Sequence, residues 1–510
     1  MAAFAGMTTG ENVPSFVIPA KAGIQGAGVW GLFQRVVRPD LQGAALRWQA
    51  LLFYSQFYKA LALVLAPVGS LRPIRMEAMV IMHPVDRRNF IKIAAAGAAG
   101  QIFFEQGPIR AQDPPPVERS AEPTLAGSGE RILFRSHGET PERGAVGILS
   151  LIGGERYLEC HAEGQISWSC GPVFADRQRI VMMSVEGEKT WEHNVRSHLW
   201  IYDLNTGRLE EIAAKDPPAP YMPACALLPG EKRLIVNPVI GGEQRVFTMD
   251  LDGSHRQEVT HEGEGFTYCV SLSPDATKLA FHATGTDSYR IYVVNLDGTG
   301  RTLVAGRPEH LYFGPTWSPK GDWLLYVDCH HLTDPGHDWA DLCIGRPNGS
   351  EHRVVTTGQR HWFATSYGGP GSRGSGSNIP QWSPRRPVCT YTRAFPDSRT
   401  AWPYQEDRPD TDHFNREYQP ELARGGTEIC LLDPFSKELT ALTTHDPTAT
   451  GSDSVWDFRA TWSPDGSRIA FCRSAVGCPS ELWVMKSDGS DPRFLTKGRE
   501  GLGVDHPVWL

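Results

Sequence analysis

Short apolar runs alternate with polar turn sequences along most of the chain, and this pattern predicts β-strands rather than helices. The clearest stretch reads Thr-Trp-Ser-Pro-Asp-Gly-Ser-Arg-Ile-Ala-Phe over residues 461–471 and continues with apolar runs at 481–485 and 493–496. Apolar and β-branched runs suit strands, and the Asp-Gly pairs between them suit tight hairpins because Gly and Asp tolerate positive φ. The stretch therefore predicts four strands joined by short turns.

The same sequence phrase returns along the chain. Counted by the Trp or the equivalent apolar residue that opens each copy, the copies start at Phe174, Leu227, Leu272, Trp317, Trp382, Trp462 and Trp509. The shortest spacing is about 45 residues, the length of one four-stranded propeller blade, and the longer spacings indicate insertions. One four-stranded sheet cannot bury both of its faces, so the copies must stack around a common axis.

The phrase resembles the repeat of TolB-type β-propellers, which are akin to the WD-repeat propellers, over roughly residues 130–510. The resemblance implies an all-β fold, and the number of copies predicts a seven-bladed β-propeller of four-stranded blades. Residues 505–510 supply only the first strand of a blade, whereas residues 131–158 supply only later strands. We therefore expect the C-terminal strand to pair with the N-terminal blade and close the ring, because closure removes open sheet edges.

The N-terminal region has a different character. Residues 1–42 show no sustained apolar period, and the apolar run at 46–68 is interrupted by Arg47 and Lys59. Two interpretations of that run stay open: a membrane span, or part of an upstream segment that does not belong to the natural protein. We expect residues 1–81 to be such a non-native or disordered upstream segment.

An export signal follows. Residues 86–92, Asp-Arg-Arg-Asn-Phe-Ile-Lys, resemble the twin-arginine export motif, and a weakly apolar segment at 93–100 and a small residue, Ala111, come after them. Basic region, apolar region and small residue are the order of a bacterial signal peptide. We predict a twin-arginine signal peptide over 82–111, a Pro-rich linker over 112–129 and the propeller over 130–510. The expected location is the periplasm or the cell exterior.

Composition narrows the classes of function. The 510 residues include 58 acidic and 50 basic ones, so the net charge of −8 lacks the positive footprint of a nucleic-acid-binding protein. The mean hydropathy of −0.32 argues against a multi-span membrane protein, and we expect no stable membrane span in the mature protein. No Gly-x-Ser-x-Gly motif occurs, which disfavours a serine hydrolase, and the spacing of the Cys residues does not predict a zinc site.

Three long insertions, at 328–341, 357–378 and 393–428, are expected to leave the propeller on the same face, and long loops on a rigid scaffold often carry function. His, Asp, Gln and Trp side chains from two of these insertions and from the C-terminal strand form the predicted ligand-binding group: Gln359, His361, Trp362, Asp410, Asp412, His413, Asp505 and His506. Within this group, His361, His413 and His506 are the predicted ligands of a divalent metal.

Two functions remain open. The TolB resemblance implies a binding or interaction module of the cell envelope, with an envelope protein as its partner. The alternative is a metal-dependent carbohydrate-active enzyme, because the seven-bladed oligogalacturonate lyases are similar in architecture and use a metal held by His and Gln, with a His base. His506-Pro507 matches one element of that lyase pattern, and Gln359 with His361 is a candidate for another, so an oligosaccharide is the alternative partner.

The export signal is tested by replacing both Arg87 and Arg88 with Lys in a fusion that starts at Met82. The fusion with the natural pair should reach the periplasm, and the Lys pair should keep it inside the cell, because the motif requires two arginines. Fractionation and immunoblotting measure the distribution. Normal export of the Lys variant would show that the twin-arginine interpretation is wrong.

Overall fold

The computed structural model describes residues 130–136, 145–151, 154–158, 165–186, 196–213, 223–285, 288–329, 338–404 and 416–510. The chain divides into two units, residues 1–116 and 117–510, and every described residue lies in the second unit. The predicted upstream segment, the signal peptide and the linker therefore lie outside the described residues. Among the described residues, no helix is long and apolar enough to cross a membrane.

Five sheets contain four antiparallel strands each. The first has the order β3-β2-β1-β33 and contains β1 (Arg131–Ser136), β2 (Ala145–Ser150), β3 (Gly154–Leu158) and β33 (Val504–Trp509). The second contains β4 (Gln165–Val173), β5 (Arg179–Glu186), β6 (Ser197–Asp203) and β7 (Leu209–Ile212). The third contains β8 (Ala224–Leu227), β9 (Arg233–Val236), β12 (Phe247–Asp250) and β13 (Gln257–Glu258), with the small hairpin β10 (Val239–Ile240) and β11 (Glu243–Gln244) between β9 and β12.

The fourth four-stranded sheet contains β14 (Thr267–Leu272), β15 (Lys278–Thr284), β16 (Tyr289–Asn295) and β17 (Thr302–Ala305). The fifth contains β29 (Val455–Trp462), β30 (Arg468–Ala475), β31 (Glu481–Lys486) and β32 (Arg493–Thr496). The described helical residues form three short 3-10 turns, at Pro420–Leu422, Gly451–Asp453 and Arg499–Gly501. The fold is an all-β propeller.

A nine-stranded sheet replaces two of the predicted blades. It contains β18 (Tyr312–Trp317), β19 (Leu324–Asp328), β20 (Trp339–Gly345), β21 (His352–Val354), β22 (His361–Trp362), β25 (Gln381–Trp382), β26 (Cys389–Ala394), β27 (Thr427–Leu432) and β28 (Leu439–Ala441). The structure thus has five four-stranded sheets where the sequence predicts seven. The physical reason is β22, a short strand of the insertion at 357–378, which pairs with both β20 and β26. The rest of that insertion forms the hairpin of β23 (Ala364–Tyr367) and β24 (Gly374–Ser377).

Tryptophans connect the innermost strands of neighbouring repeats. Trp317 Nε1 donates to the carbonyl of Ser271 at 3.0 Å, and Trp382 Nε1 donates to Thr316 O at 3.2 Å. In each case the acceptor is the residue just before the equivalent position of the preceding repeat, which is Leu272 for Trp317 and Trp317 for Trp382. This recurring geometry explains the Trp of the phrase, because the indole covers the junction between two repeats while its N–H finds a backbone partner.

The Ser of the Trp-Ser-Pro phrase closes the turn that follows. Ser463 Oγ accepts the backbone N–H of Arg468 at 2.9 Å, and Ser273 Oγ accepts that of Lys278 at the same distance. Ser318 does the same for Trp323 at 3.1 Å. These side chains satisfy backbone donors that the turn would leave without partners, which is why Ser is favoured there.

The C-terminal strand lies in the sheet formed by the N-terminal repeat residues. β33 pairs antiparallel with β1, with Ile132 opposite Trp509 and Ser136 opposite Val504. Trp509 packs in a buried cluster with Ile132, and its Nε1 donates to Thr461 O of the preceding repeat at 3.2 Å. The last strand therefore joins one sheet by backbone pairing and another by its indole.

Trp509→Ala tests how much the fold depends on this strand. Truncating a buried aromatic side chain costs about 3–5 kcal/mol, and the indole hydrogen bond is lost with it, so the unfolding free energy in urea should fall by about that amount. Phe494→Ala is the control, because Phe494 is 47% exposed and its truncation should cost less than about 1 kcal/mol. Equal losses in the two variants would contradict a structural role for Trp509.

Candidate functional site

The long connections meet at one edge of the sheets, which we call the loop face. It is formed by residues 355–380, 395–404, 416–426, 442–454 and 476–480, all of which link a second strand to a third or a last strand to the next sheet. Two contacts hold these connections together. Arg416 Nη1 donates to Asp338 Oδ1 at 2.6 Å, and Trp402 Nε1 donates to Gly368 O at 2.9 Å. The connections of the loop face therefore contact one another through specific hydrogen bonds.

His361 lies inside this surface, with a fully buried side chain. Its Nε2 is 2.7 Å from Asn378 O and its Nδ1 is 3.2 Å from Thr392 O, so both ring nitrogens face backbone carbonyls. Burial lowers the pKa of His361 to about 4, although the two carbonyls oppose this shift. His361 therefore joins the insertion to β26, with both ring nitrogens against backbone carbonyls in this arrangement.

Gln359 is also committed to internal contacts. Its Nε2 donates to Asp341 Oδ2 at 3.1 Å and to Asp328 O at 3.2 Å. Its backbone N–H donates to the other oxygen of Asp341, also at 3.1 Å. Gln359 thus fixes the start of the insertion against the ends of β19 and β20. Trp362, another predicted ligand-binding residue, is buried and packs on Trp456 with ring centroids 4.7 Å apart.

The two predicted residues on β33 form a buried ionic group with Arg459. Arg459 Nε donates to Asp505 Oδ1 at 2.8 Å, and His506 Nδ1 is 3.0 Å from Asp505 Oδ2. Asp505 is fully buried, Arg459 is nearly so, and the His506 side chain is 43% exposed. Desolvation by the surrounding protein lowers the pKa of His506 to about 4, and the positive charge of Arg459 lowers it further.

Backbone geometry explains why these side chains meet. Five innermost strands carry an irregularity in their pairing, and at it a residue with positive φ: Gly171, Cys269, Gly314, Arg459 and His506. Each lies three residues before the residue that opens its repeat. Positive φ is unusual for residues other than Gly, and such strain often accompanies a functional position. The bulge re-aims the side chains of Arg459 and His506 relative to the rest of their strands.

Asn378 links the β33 group to His361. Its carbonyl accepts from His361, and its Oδ1 accepts the backbone N–H of Arg459 at 3.0 Å. The guanidinium of Arg459 also reaches Ser375 O in the hairpin at 3.4 Å. The structure therefore brings His361, Asp505 and His506 into one hydrogen-bonded network, with Arg459 and Asn378 between them.

Three predicted site residues, Asp410, Asp412 and His413, lie outside the described residues. Within the described part of the chain, no group of three or more His, Cys, Asp or Glu side chains is arranged to hold a metal ion. His361, His413 and His506 as ligands of a divalent metal stay a prediction, since His413 is among the residues outside the described part of the chain. Asp410, Asp412 and His413 as ligand-binding residues stay predictions.

Sequence reasoning missed Arg459 and a second buried carboxylate group. Asp457 is fully buried; burial alone would raise its pKa, but hydrogen bonds from Arg473 and His445 outweigh burial and lower the pKa. Arg473 Nε donates to Asp457 Oδ1 at 2.7 Å, and His445 Nε2 is 2.7 Å from Asp457 Oδ2. The signal for Arg459 was available, because it occupies the repeat position that His506 occupies before Trp509.

Comparisons with known proteins add little about activity. No protein-family model matches the chain. An uncharacterized protein of Agrobacterium fabrum is 28% identical over 155 residues, which are 30% of this chain, so the match spans about half (47%) of the relative's length. TolB from Acinetobacter baumannii is 13% identical, covering 74% of this chain and 66% of that one, with a TM-score of 0.38. Oligogalacturonate lyase in complex with manganese is 15% identical, covering 59% and 72%, with a TM-score of 0.40.

The buried His361 predicts a pH-dependent stability. Its pKa in the folded state is about 4, whereas an unfolded histidine titrates near about 6.5, so the unfolded chain binds more protons between these values. The stability that neutral His361 contributes is present above about pH 6.5 and is lost, by about 3 kcal/mol, as the pH falls towards 4. The unfolding free energy in urea should therefore decline over this window.

His361→Gln separates this effect from general acid sensitivity, because Gln keeps a hydrogen-bond donor and does not titrate. The decline in unfolding free energy from about pH 7 to about pH 4.5 should be shallower in this variant than in the parent protein. His255→Gln is the matched control, since the His255 side chain is 80% exposed. An H361Q slope equal to that of the parent would show that His361 does not contribute.

Proposed function

We propose that this chain is an exported binding module of the cell envelope that engages an envelope protein through its loop face. The observation that carries the proposal is that ion pairs hold together the strand ends that adjoin the loop face. Asp338 is paired with Arg416, Asp457 with Arg473, and Asp505 with Arg459. Buried pairs of this kind are costly to break and rigidify the connections they join, which suits a preorganised binding surface.

The proposed location rests on the twin-arginine motif at 86–92, and the proposed partner class rests on the surface. Long connections on a rigid scaffold are the common place for recognition, and here they form a single face. The net charge of −8 disfavours nucleic acid as the ligand. An envelope protein is therefore the partner we propose, with an oligosaccharide as the alternative.

We also propose that the sheets form a closed ring of seven units, with the nine-stranded sheet counting as two. Contacts between innermost strands support this arrangement: β4 with β8, β8 with β14, β14 with β18, β18 with β25, β25 with β29, and β29 with β33. β33 pairs with β1, and β1 contacts β4, so the sequence of contacts returns to its start. A closed ring leaves no open edge for aggregation.

One observation favours the enzyme alternative. The carboxylate of Asp505 lies 3.0 Å from His506 Nδ1, which orients the ring and leaves Nε2 as the nitrogen that can accept a proton. In this alternative the oriented, half-exposed imidazole would be the base and a uronate oligosaccharide its substrate, with the lowered pKa of His506 making it a weak base at neutral pH. We place binding first because the ion-paired strand ends make the loop face rigid.

Site-specific photo-crosslinking tests the proposed function. A benzophenone amino acid at Glu421, an exposed loop-face position, should yield a discrete crosslinked protein in living cells. The same amino acid at Lys320, an exposed turn at the opposite edge of the sheets, is the control and should yield none. Immunoblotting of the propeller measures the shift in mass. Crosslinking that is equal at both positions, or absent at both, would contradict a loop-face partner.

The enzyme alternative predicts a different result with the purified protein. Incubation with oligogalacturonate and manganese should then release unsaturated products that absorb ultraviolet light, and His506→Ala should abolish their release. Such turnover without crosslinking from Glu421 would replace the binding proposal by the enzymatic one. Absence of turnover together with crosslinking from Glu421 is the outcome we expect.

A further inference from the structure

Arg131 is a buried cation without a carboxylate beside it. The other deeply buried arginines described above are paired, Arg459 with Asp505 at 2.8 Å and Arg416 with Asp338 at 2.6 Å. Arg131 is 7% exposed, and no carboxylate of the described residues, the terminal one included, forms an ion pair with it. Buried charges are normally paired, because leaving one unpaired away from water is costly. The counter-charge of Arg131 is therefore absent from the described part of the chain.

Arg131 begins β1 at the edge of the sheets opposite the loop face, which we call the turn edge. Its Nη2 donates to Arg177 O at 2.6 Å and its Nη1 donates to Gln178 Oε1 at 3.4 Å, both in the β4–β5 turn of the second sheet. Its Nε has no acceptor among the described residues and is not one of the fully buried nitrogens without a partner. Solvent therefore reaches Arg131 Nε, and this N–H is open to a ligand.

A second arginine of the first sheet reaches the same place. Arg156 Nη2 donates to Leu204 O, and Leu204 N donates to Gln178 O at 2.8 Å, so the two guanidinium groups bind adjoining turns of the second sheet. Arg177 is an exposed residue of one of these turns. Burial lowers the pKa of Arg131, and the positive charge of Arg156 lowers it further. Like charges thus lie close together at the turn edge.

The carboxylates of the neighbouring turns are engaged elsewhere. Asp176 pairs with Arg179 at 2.6 Å, and Glu130 pairs with Arg468 at 3.2 Å. Asp203 closes the β6–β7 turn by accepting two backbone N–H groups, each at 2.9 Å. An anion from outside the described chain would therefore be the counter-charge of Arg131.

We propose that the turn edge between the first and second sheets binds a phosphate-type oxyanion at Arg131 and Arg156. Such an anion has three or four oxygens and can accept N–H donors from two guanidinium groups on different strands, whereas one carboxylate matches the fork of one guanidinium. Free phosphate and the phosphate of a lipid headgroup share this chemistry. The site lies at the edge opposite the loop face, so it goes beyond the proposed function and does not depend on it.

Titration calorimetry of the purified protein with inorganic phosphate, at constant ionic strength in chloride, tests the proposal. The parent protein should bind phosphate saturably at one site per chain. Arg131→Gln removes the buried charge and should weaken binding about tenfold or more, the value of one hydrogen bond to a charged group. Arg208→Gln is the matched control, because Arg208 is 75% exposed and pairs with Glu210 at 3.0 Å, and its phosphate affinity should stay that of the parent.

Gln178→Glu guards against a folding defect in Arg131→Gln. Glu has nearly the shape of Gln, and Gln178 Oε1 already accepts from Arg131 Nη1, so this variant places a carboxylate beside the buried guanidinium. The circular dichroism spectrum should stay that of the parent, the melting temperature in chloride should rise, and phosphate binding should weaken about tenfold or more. Absence of saturable phosphate binding in the parent, or equal affinity in the parent and both variants, overturns the proposal.

Vesicles distinguish free phosphate from a lipid headgroup. Sedimentation with phosphatidylcholine vesicles that contain phosphatidic acid, if inorganic phosphate and Gln178→Glu each abolish it, would assign the site to a lipid phosphate. Saturable phosphate binding without such sedimentation would assign it to the free anion. Crosslinking from Glu421 reports on the proposed function separately, so its failure would leave this site standing, and loss of phosphate binding would leave the loop-face proposal standing.

Discussion

The packing of each repeat against the preceding one is the constraint on which this propeller depends. Trp317, Trp382 and Trp509 each strengthen it by donating an indole N–H to the backbone of the preceding repeat, and each places a large aromatic surface at that junction. A four-stranded sheet cannot bury both faces by itself, so it is stable only against its neighbours. The same contact carries the C-terminal strand, because Trp509 binds Thr461 while β33 pairs with β1.

The innermost strands combine this regular contact with a local irregularity. Five innermost strands depart from regular pairing three residues before the Trp or equivalent residue of their repeat, and the residue at that point has a positive φ. Where that residue is Gly, the conformation costs little, but Arg459 and His506 adopt it with full side chains. Asp505 pairs with both Arg459 and His506, so its buried negative charge has two partners at the two strained positions. A change to any member leaves a buried group without its partner.

The insertion at 357–378 makes contacts that the regular repeats do not make. β22 joins two neighbouring repeats into one sheet, and the β23–β24 hairpin reaches back to Arg459 through Ser375. Asn378 then connects this insertion to both His361 and the bulge of β29. The loop face therefore contains one hydrogen-bonded network, in which Gln359 and His361 bind other groups of the protein. Buried polar atoms without a hydrogen-bond partner in the described part of this network include Trp362 Nε1 and Ser375 Oγ.

The sequence by itself determined the all-β propeller, the positions of most strands, and the placement of the long insertions, because turn chemistry and apolar alternation are local properties. It also placed Asp505 and His506 beside each other. Only the tertiary structure decided that β22 fuses two repeats, since strand pairing between distant segments depends on edges that no local pattern specifies. It also decided that the His361 ring is buried between two backbone carbonyls. A histidine in a loop has the same sequence signal in either role, because its protonation and partners are set by neighbours far away along the chain.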